Sequence, residues 1–172
     1  MPTAGTLATT DETEGEMSPQ HAPGWSPTRP TSLAGYLDAL SRPVFSTGMG
    51  FRVIEAKWDG TREAFYGFDP EKVAALTPAD VDRLAEDPRI IRNRKKIEAT
   101  VTNAERMIEL DKEYGGFDQY LASLGPFPQV VAGLRSEFRF LGDMGAYLFL
   151  WSIDWPVPSH DVWREELSKA PD

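Results

Sequence analysis

The chain contains no cysteine. Disulfides and thiolate metal sites are therefore excluded, and nothing in the composition calls for an oxidising compartment. Histidine is nearly absent: only His21 and His160 occur. With so few, no Ser/His/Asp arrangement suggests a hydrolytic triad, and no glycine-rich phosphate loop of the Walker type is present. No stretch approaches the roughly eighteen apolar residues of a membrane span. The first residues lack a basic segment followed by an apolar one, so no secretory signal is expected. These absences lead to the expectation of a cytoplasmic protein that does not engage a membrane.

What is present is the composition of a globular protein. The 172 residues are 41% hydrophobic and 26% charged, enough for one domain with a substantial core. Residues 1–30 stand apart, rich in Thr, Pro, Gly and Ser, with Trp25 as their one aromatic. Such a segment buries too little apolar surface to offset its ordering entropy, and it reads as a disordered tail. Residues 31–172 read as the folded body. The net charge is −9; Asp11, Glu12, Glu14 and Glu16 against Arg29 put −3 in the tail and leave −6 in the body. An acidic body disfavours nucleic-acid binding unless positive charge is gathered in one place.

The body reads as helices joined by marked turns. Ser32 caps a helix with Leu33, Tyr36, Leu37 and Leu40 inward, and Pro43 is expected to disturb or end it. In "GMGFRVIEAKW", Met49, Val53, Ala56 and Lys57 follow helical steps. Gly67 stops a helix, Asp69 caps the next, and Pro70 takes its first position. Thr77, Pro78 and Asp80 form a capping box, with Asp in place of the usual Glu or Gln. The longest helix is expected from about Ile90 to Tyr114, ended by Gly115-Gly116. Shorter helices follow, capped by Asp118, beginning near Pro128, opening at Asp143 and capped by Ser159. No segment gives a convincing sheet. The fold class is all-α, a compact multi-helix domain preceded by the tail.

Three stretches carry chemistry, each open to two readings. In "SEFRFLGDMGAYLFLWS", residues Glu137 to Gly142 turn between two helices. The turn is either a helix cap inside a bundle or a hairpin whose free N–H groups hold a DNA phosphate. Asp143 would repel that phosphate unless a cation intervenes, and carbonyls of the hairpin are available to hold one. In "RIIRNRKK", Arg89 to Lys96, five cations occur in eight residues without an acid. That is either a solvated helix start or the concentrated positive charge that DNA requires. Phe45, Phe51, Trp58, Phe65, Tyr66 and Phe68 are either core or, in part, a pocket for a flat base. His160 and Asp161 serve either structure or acid–base chemistry.

Taken together, "AFYGFDPEKVAAL", "DPRIIRNRKKIEATVTNA" and "FRFLGDMGAYLFLWS" resemble the DNA-3-methyladenine glycosylase I family in order and spacing. The resemblance spans about Leu33 to Val162. It implies an all-α helix–hairpin–helix enzyme that flips a damaged base out of duplex DNA and cuts its N-glycosidic bond with water. It implies a hairpin at Glu137 to Gly142 that holds a DNA phosphate; Arg139 and Gly142 there, with Arg92, Arg94 and Lys95 of the basic stretch, are the candidate DNA contacts. It implies a base pocket near Phe51, which takes the place of a pocket tryptophan, with Phe45 and Trp58 beside it. The family's pocket glutamate falls on Pro43, which neither accepts a hydrogen bond through its side chain nor polarises water. The wider superfamily's catalytic aspartate falls near Ser159, with Asp161 the nearest carboxylate. The family's two-Cys, two-His zinc site retains only His160, its neighbouring ligand position falling near Arg164. No structural zinc and no cofactor are expected.

Glu55 and Asp161 are then the candidate replacement carboxylates. Glu55 lies one helical turn after Phe51, so both face one pocket, or it is a surface residue paired with Arg52 or Lys57. Three readings follow. The first is a base-excision repair hydrolase acting on alkylated purines such as 3-methyladenine. The second is a catalytically degenerate helix–hairpin–helix DNA-binding protein. The third is a helical interaction protein. The expected partner is double-stranded DNA carrying a damaged base, bound by a monomer.

Overall fold

The computed structural model describes residues 26–169. Of the expected tail, residues 1–25 lie outside the described residues. Residues 26–30 run without helix along the body, and the Thr28 N–H donates to the Ser152 carbonyl at 2.9 Å. Among the described residues every regular element is helical. The helices are α1 (Leu33–Ser46), α2 (Phe51–Ala64), α3 (Pro70–Ala74), α4 (Pro78–Leu84), α5 (Arg94–Tyr114), α6 (Phe117–Ser123), α7 (Phe127–Glu137), α8 (Asp143–Ser152) and α9 (His160–Lys169). A single 3-10 turn, Tyr66–Phe68, links α2 to α3.

The caps lie where side-chain chemistry asks for them. Ser32 accepts from the Gly35 N–H, Asp69 from Glu71 ahead of Pro70, and Ser159 from Val162. Thr77 and Asp80 exchange both bonds of the capping box. Gly115, at φ +77°, ends α5 in the left-handed conformation that glycine adopts without steric cost.

Four expectations are corrected. Pro43 does not end α1, which continues to Ser46. The missing N–H costs about 3 kcal/mol, but Val44 and Phe45 beyond it are fully buried, at about 1.5–3 kcal/mol each. The inward face of α2 is Ile54, Trp58, Thr61 and Ala64; Met49 and Val53 are exposed. The longest helix starts at Arg94, not Ile90, because the Asn93 side chain accepts from the Lys96 N–H and fixes the first turn there. Gly116, not Asp118, caps α6, and Asp118 lies inside its first turn.

α8 is the central element. Ala146 to Leu150 are all buried, as expected of a helix that is apolar on every side. α1 and α7 pack on it, while α5 spans the molecule against α1, α3, α4 and α6. The core is one continuous cluster running from Leu37 and Phe45 through Ile97 and Met107 to Leu134 and Phe149.

Candidate functional site

The chain between α7 and α8, Phe138 to Gly142, is a tight hairpin. Its inward side chains are Phe138 and Leu141, and Phe138 meets the Phe117 ring edge-on at 6.0 Å. Phe140 lies between them at φ +59° with its ring exposed. An aromatic residue in that conformation is strained, so something must hold the turn. Asn103 of α5 does. Its Oδ1 accepts from the Arg139 N–H at 2.8 Å and its Nδ2 donates to the Arg139 carbonyl at 3.2 Å. Arg106, one turn further along α5, grips Glu137 with two bonds of 2.7 and 3.0 Å.

The end of the hairpin is open. Gly142 is exposed, and a Cβ placed on it would meet no atom within 4 Å. No described acceptor meets the N–H groups of Asp143, Met144 and Gly145, the first turn of α8. These amides, with the positive end of the helix dipole behind them, suit an anion. Asp143 stands beside them, but Arg135 of α7 pairs with it at 2.9 Å. A side chain eight residues earlier thus compensates the Asp143 charge.

The basic stretch divides. Arg89 is tied to Asp87 and Glu63, and Arg94 to Asp82 and Glu98. The Asp82 bond holds the Arg94 guanidinium more firmly protonated than usual. Arg92 and Lys95 are exposed and make no ion pair among the described residues. Lys96 turns inward. It is 4% exposed, and its ammonium donates to the Phe45 and Thr47 carbonyls at 3.0 and 2.5 Å. Burial lowers its pKa from the ordinary lysine value.

The three stretches meet. Lys96 joins the basic stretch to the loop before Phe51, and Asn103 joins the same helix to the hairpin. A Cβ on Gly145 would stand 3.5 Å from Pro43 Cβ. Phe51, half-buried, packs against Leu148 of α8, as Met144 and Trp151 also do. The segment from Pro43 to Phe51 therefore lies along the helix that begins at the hairpin.

The aromatic residues separate into two groups. Phe45 and Trp58 are core residues. Trp58 stacks on Phe68 at 5.5 Å, Arg42 covers it at 5.4 Å, and its indole N–H donates to Asp38 at 3.0 Å. Phe45 packs against Phe65 and Trp58. Phe51 is the one of the three expected pocket residues placed beside α8. A small cleft lined by Tyr66, Leu76, Arg83, Asp87 and Arg89 lies elsewhere, beside α4.

Glu55 is one turn beyond Phe51 and partly buried. Its partner is Arg42 of α1, at 2.9 Å, in place of the Arg52 or Lys57 considered from sequence. Arg42 is the residue before Pro43 in α1, and its guanidinium also covers Trp58. Burial lowers the Arg42 pKa, and the Glu55 charge opposes that. Asp161 is fully exposed on α9. His160 is buried, its ring edge-on to Tyr147 at 5.7 Å. Arg164 offers a metal no lone pair, and no three described His, Cys, Asp or Glu residues converge. With no cysteine in the chain, the available donors do not fit the zinc site that the resemblance implies.

Known proteins are similar to this chain in sequence and fold. The sequence model described as methyladenine glycosylase matches residues 21–139. The DNA-3-methyladenine glycosylase of Haemophilus influenzae is 29% identical over 127 residues, covering 62% of this chain and 69% of its own. DNA-3-methyladenine glycosylase 1 of Escherichia coli is 36% identical over 85 residues, 49% of this chain and 46% of its own. The structure of 3-methyladenine DNA glycosylase I from Staphylococcus aureus superposes with a TM-score of 0.69 at 27% identity, over 82% of this chain and 86% of that one. A crystal structure of 3-methyladenine DNA glycosylase I in complex with 3-methyladenine gives 0.68 at 26% identity, over 82% and 87%.

Proposed function

The chain belongs to the methyladenine glycosylase family of base-excision repair hydrolases, and from that premise we propose that it releases cationic alkylated purines of the 3-methyladenine type from duplex DNA. One observation carries the reading at the level of this chain. The hairpin amides, the unpaired cations Arg92 and Lys95, and the Phe51 edge are all positioned by α5 and α8. The hairpin amides around Gly142 and the Arg139 side chain take the phosphodiester strand. Phe51 stacks on the extruded base. Trp58 and Phe45 support that wall from the core rather than touching the base.

The chemistry asks little of the protein. A purine methylated on a ring nitrogen is positively charged, so the electrons of the breaking C1′–N bond neutralise it as it leaves. Water adds to C1′ and gives up a proton. Glu55, kept beside Arg42, orients that water and accepts its proton. Asp161, exposed on α9, is the second candidate. No metal or cofactor enters the reaction, and the enzyme acts as a monomer in the cytoplasm.

The test measures free base released from methylated DNA, with chelator present, beside a duplex titration at two salt concentrations. The expected result is release that falls about a hundredfold in Glu55→Gln and remains in Asp161→Asn. A second reading, a binding protein without catalysis, draws on Pro43 standing where the family has its glutamate. It predicts salt-dependent binding with no base release.

A further inference from the structure

We propose that α5 sets the distance between the phosphate grip and the base wall, through Lys96 and Asn103 as a pair of positioning residues. The proposal rests on the reading of the site given above. Both side chains are buried, at 4% and 2% exposed. Seven residues separate them, about two helical turns and about 10.5 Å along one face. Thr100 lies between them, 1% exposed, its hydroxyl donating to the Lys96 carbonyl at 2.8 Å.

Neither residue bonds another side chain in these contacts. Lys96 donates to the Phe45 and Thr47 carbonyls, where α1 ends and the loop to Phe51 begins. Asn103 donates to and accepts from the main chain of Arg139, where the hairpin turns into the strained Phe140. Each fixes a loop by its backbone, whatever side chains that loop carries. One loop launches the aromatic wall and the other presents the phosphate-binding amides. The rigid helix between them makes the two loops one constellation.

Packing alone does not account for these residue types. Among the described residues Lys96 has no carboxylate partner, and burial works against its charge. A methionine would fill the same volume without a buried ammonium. What a methionine lacks is the pair of donors that satisfies two carbonyls at the negative end of α1. An aspartate at position 103 keeps the shape and the acceptor but has no donor for the Arg139 carbonyl.

The experiment uses the full chain and the variants Lys96→Met, Lys96→Arg, Asn103→Asp and Asn103→Ala. Three quantities are read: affinity for undamaged duplex, affinity for free 3-methyladenine, and single-turnover release from methylated DNA. Asn103→Asp and Asn103→Ala should weaken duplex affinity about tenfold and leave free-base affinity within about twofold. Lys96→Met should do the opposite, weakening free-base affinity and slowing release about tenfold with duplex affinity nearly unchanged. Lys96→Arg, which keeps the donors, should recover part of that loss.

Equal loss in both affinities, in step with falling melting temperature, would mean the residues serve only general stability and would overturn the proposal. Unchanged affinities in all four variants would overturn it as well. Should the unmodified chain bind neither duplex nor free base, the functional reading itself fails. A wild type that does both, with variants that do not separate them, refutes only the positioning role.

Discussion

Arg135 Nη1 lies 2.9 Å from Asp143 Oδ1, joining the last turn of α7 to the first residue of α8 across the hairpin. The pair is half exposed, so its contribution to stability is small, about 0–1 kcal/mol. Its consequence is local. It cancels a negative charge at the amides that suit a phosphate.

Arg135→Ala should therefore weaken duplex binding about fivefold while moving the melting temperature little. Adding Asp143→Asn should restore most of the affinity, because the uncompensated carboxylate is then gone. A double variant no better than Arg135→Ala would show that Arg135 contacts DNA itself.

Arg92 and Lys95 are the exposed cations of the basic stretch without an acidic partner among the described residues, whereas Arg94 is held by Asp82 and Glu98. Arg92→Ala with Lys95→Ala should weaken duplex affinity and flatten its dependence on log salt by about two. Arg94→Ala should change the slope less. Affinity titrations at several salt concentrations measure both, and equal slopes would remove the stretch from the interface.

Gly145 approaches α1 so closely that a Cβ there would meet Leu141 Cδ1 at 3.1 Å as well as Pro43 Cβ at 3.5 Å. Gly145→Val should force Leu141 out of its place and cost about 2 kcal/mol. Duplex affinity should fall with it, since Leu141 anchors the hairpin. Urea unfolding and duplex titration on the same sample test the link.

The Asp80 carboxyl is held below its ordinary value of 3.8, first by the Thr77 backbone N–H, then by the Thr77 hydroxyl and Arg83. A depressed carboxylate contributes stability above its unfolded value and loses it as pH falls through the folded one. The stability advantage of the native chain over Asp80→Asn should thus be present at neutral pH and shrink below pH 3.8. Melting curves of the two proteins across that range should converge.

Four side-chain helix caps were legible because they depend on neighbours in sequence, whereas the starts of α5 and α6 were not. Ser32, Thr77 with Asp80, Asp69 before Pro70 and Ser159 each satisfy amides two or three residues away. The inward face of α2 was not, because Met49 and Val53 keep the same period as Ile54 and Trp58 and only the tertiary partner chooses between them. The turn between α7 and α8 and the run of cations were legible; which cations are paired, and what holds the turn, were not. Asn103 lies 36 residues from Arg139, and Lys96 lies 51 from Phe45. Hydrogen bonds over such separations leave no periodic trace. One trace did exist: Lys96, Thr100, Asn103 and Met107 recur at four- and three-residue steps beside Ile97 and Ala104, which places polar side chains on a buried stripe.

The Thr28 amide donates to the Ser152 carbonyl, and the Arg29 guanidinium reaches the Asp154 carbonyl at 3.5 Å. The far end of α8 is thereby closed by chain that precedes α1, from 124 positions upstream. A polypeptide shortened to begin at Thr31 would unzip that lock without removing a helical residue. α8 would fray from the end opposite the hairpin, so early truncation should register as faster amide exchange around Trp151 to Trp155.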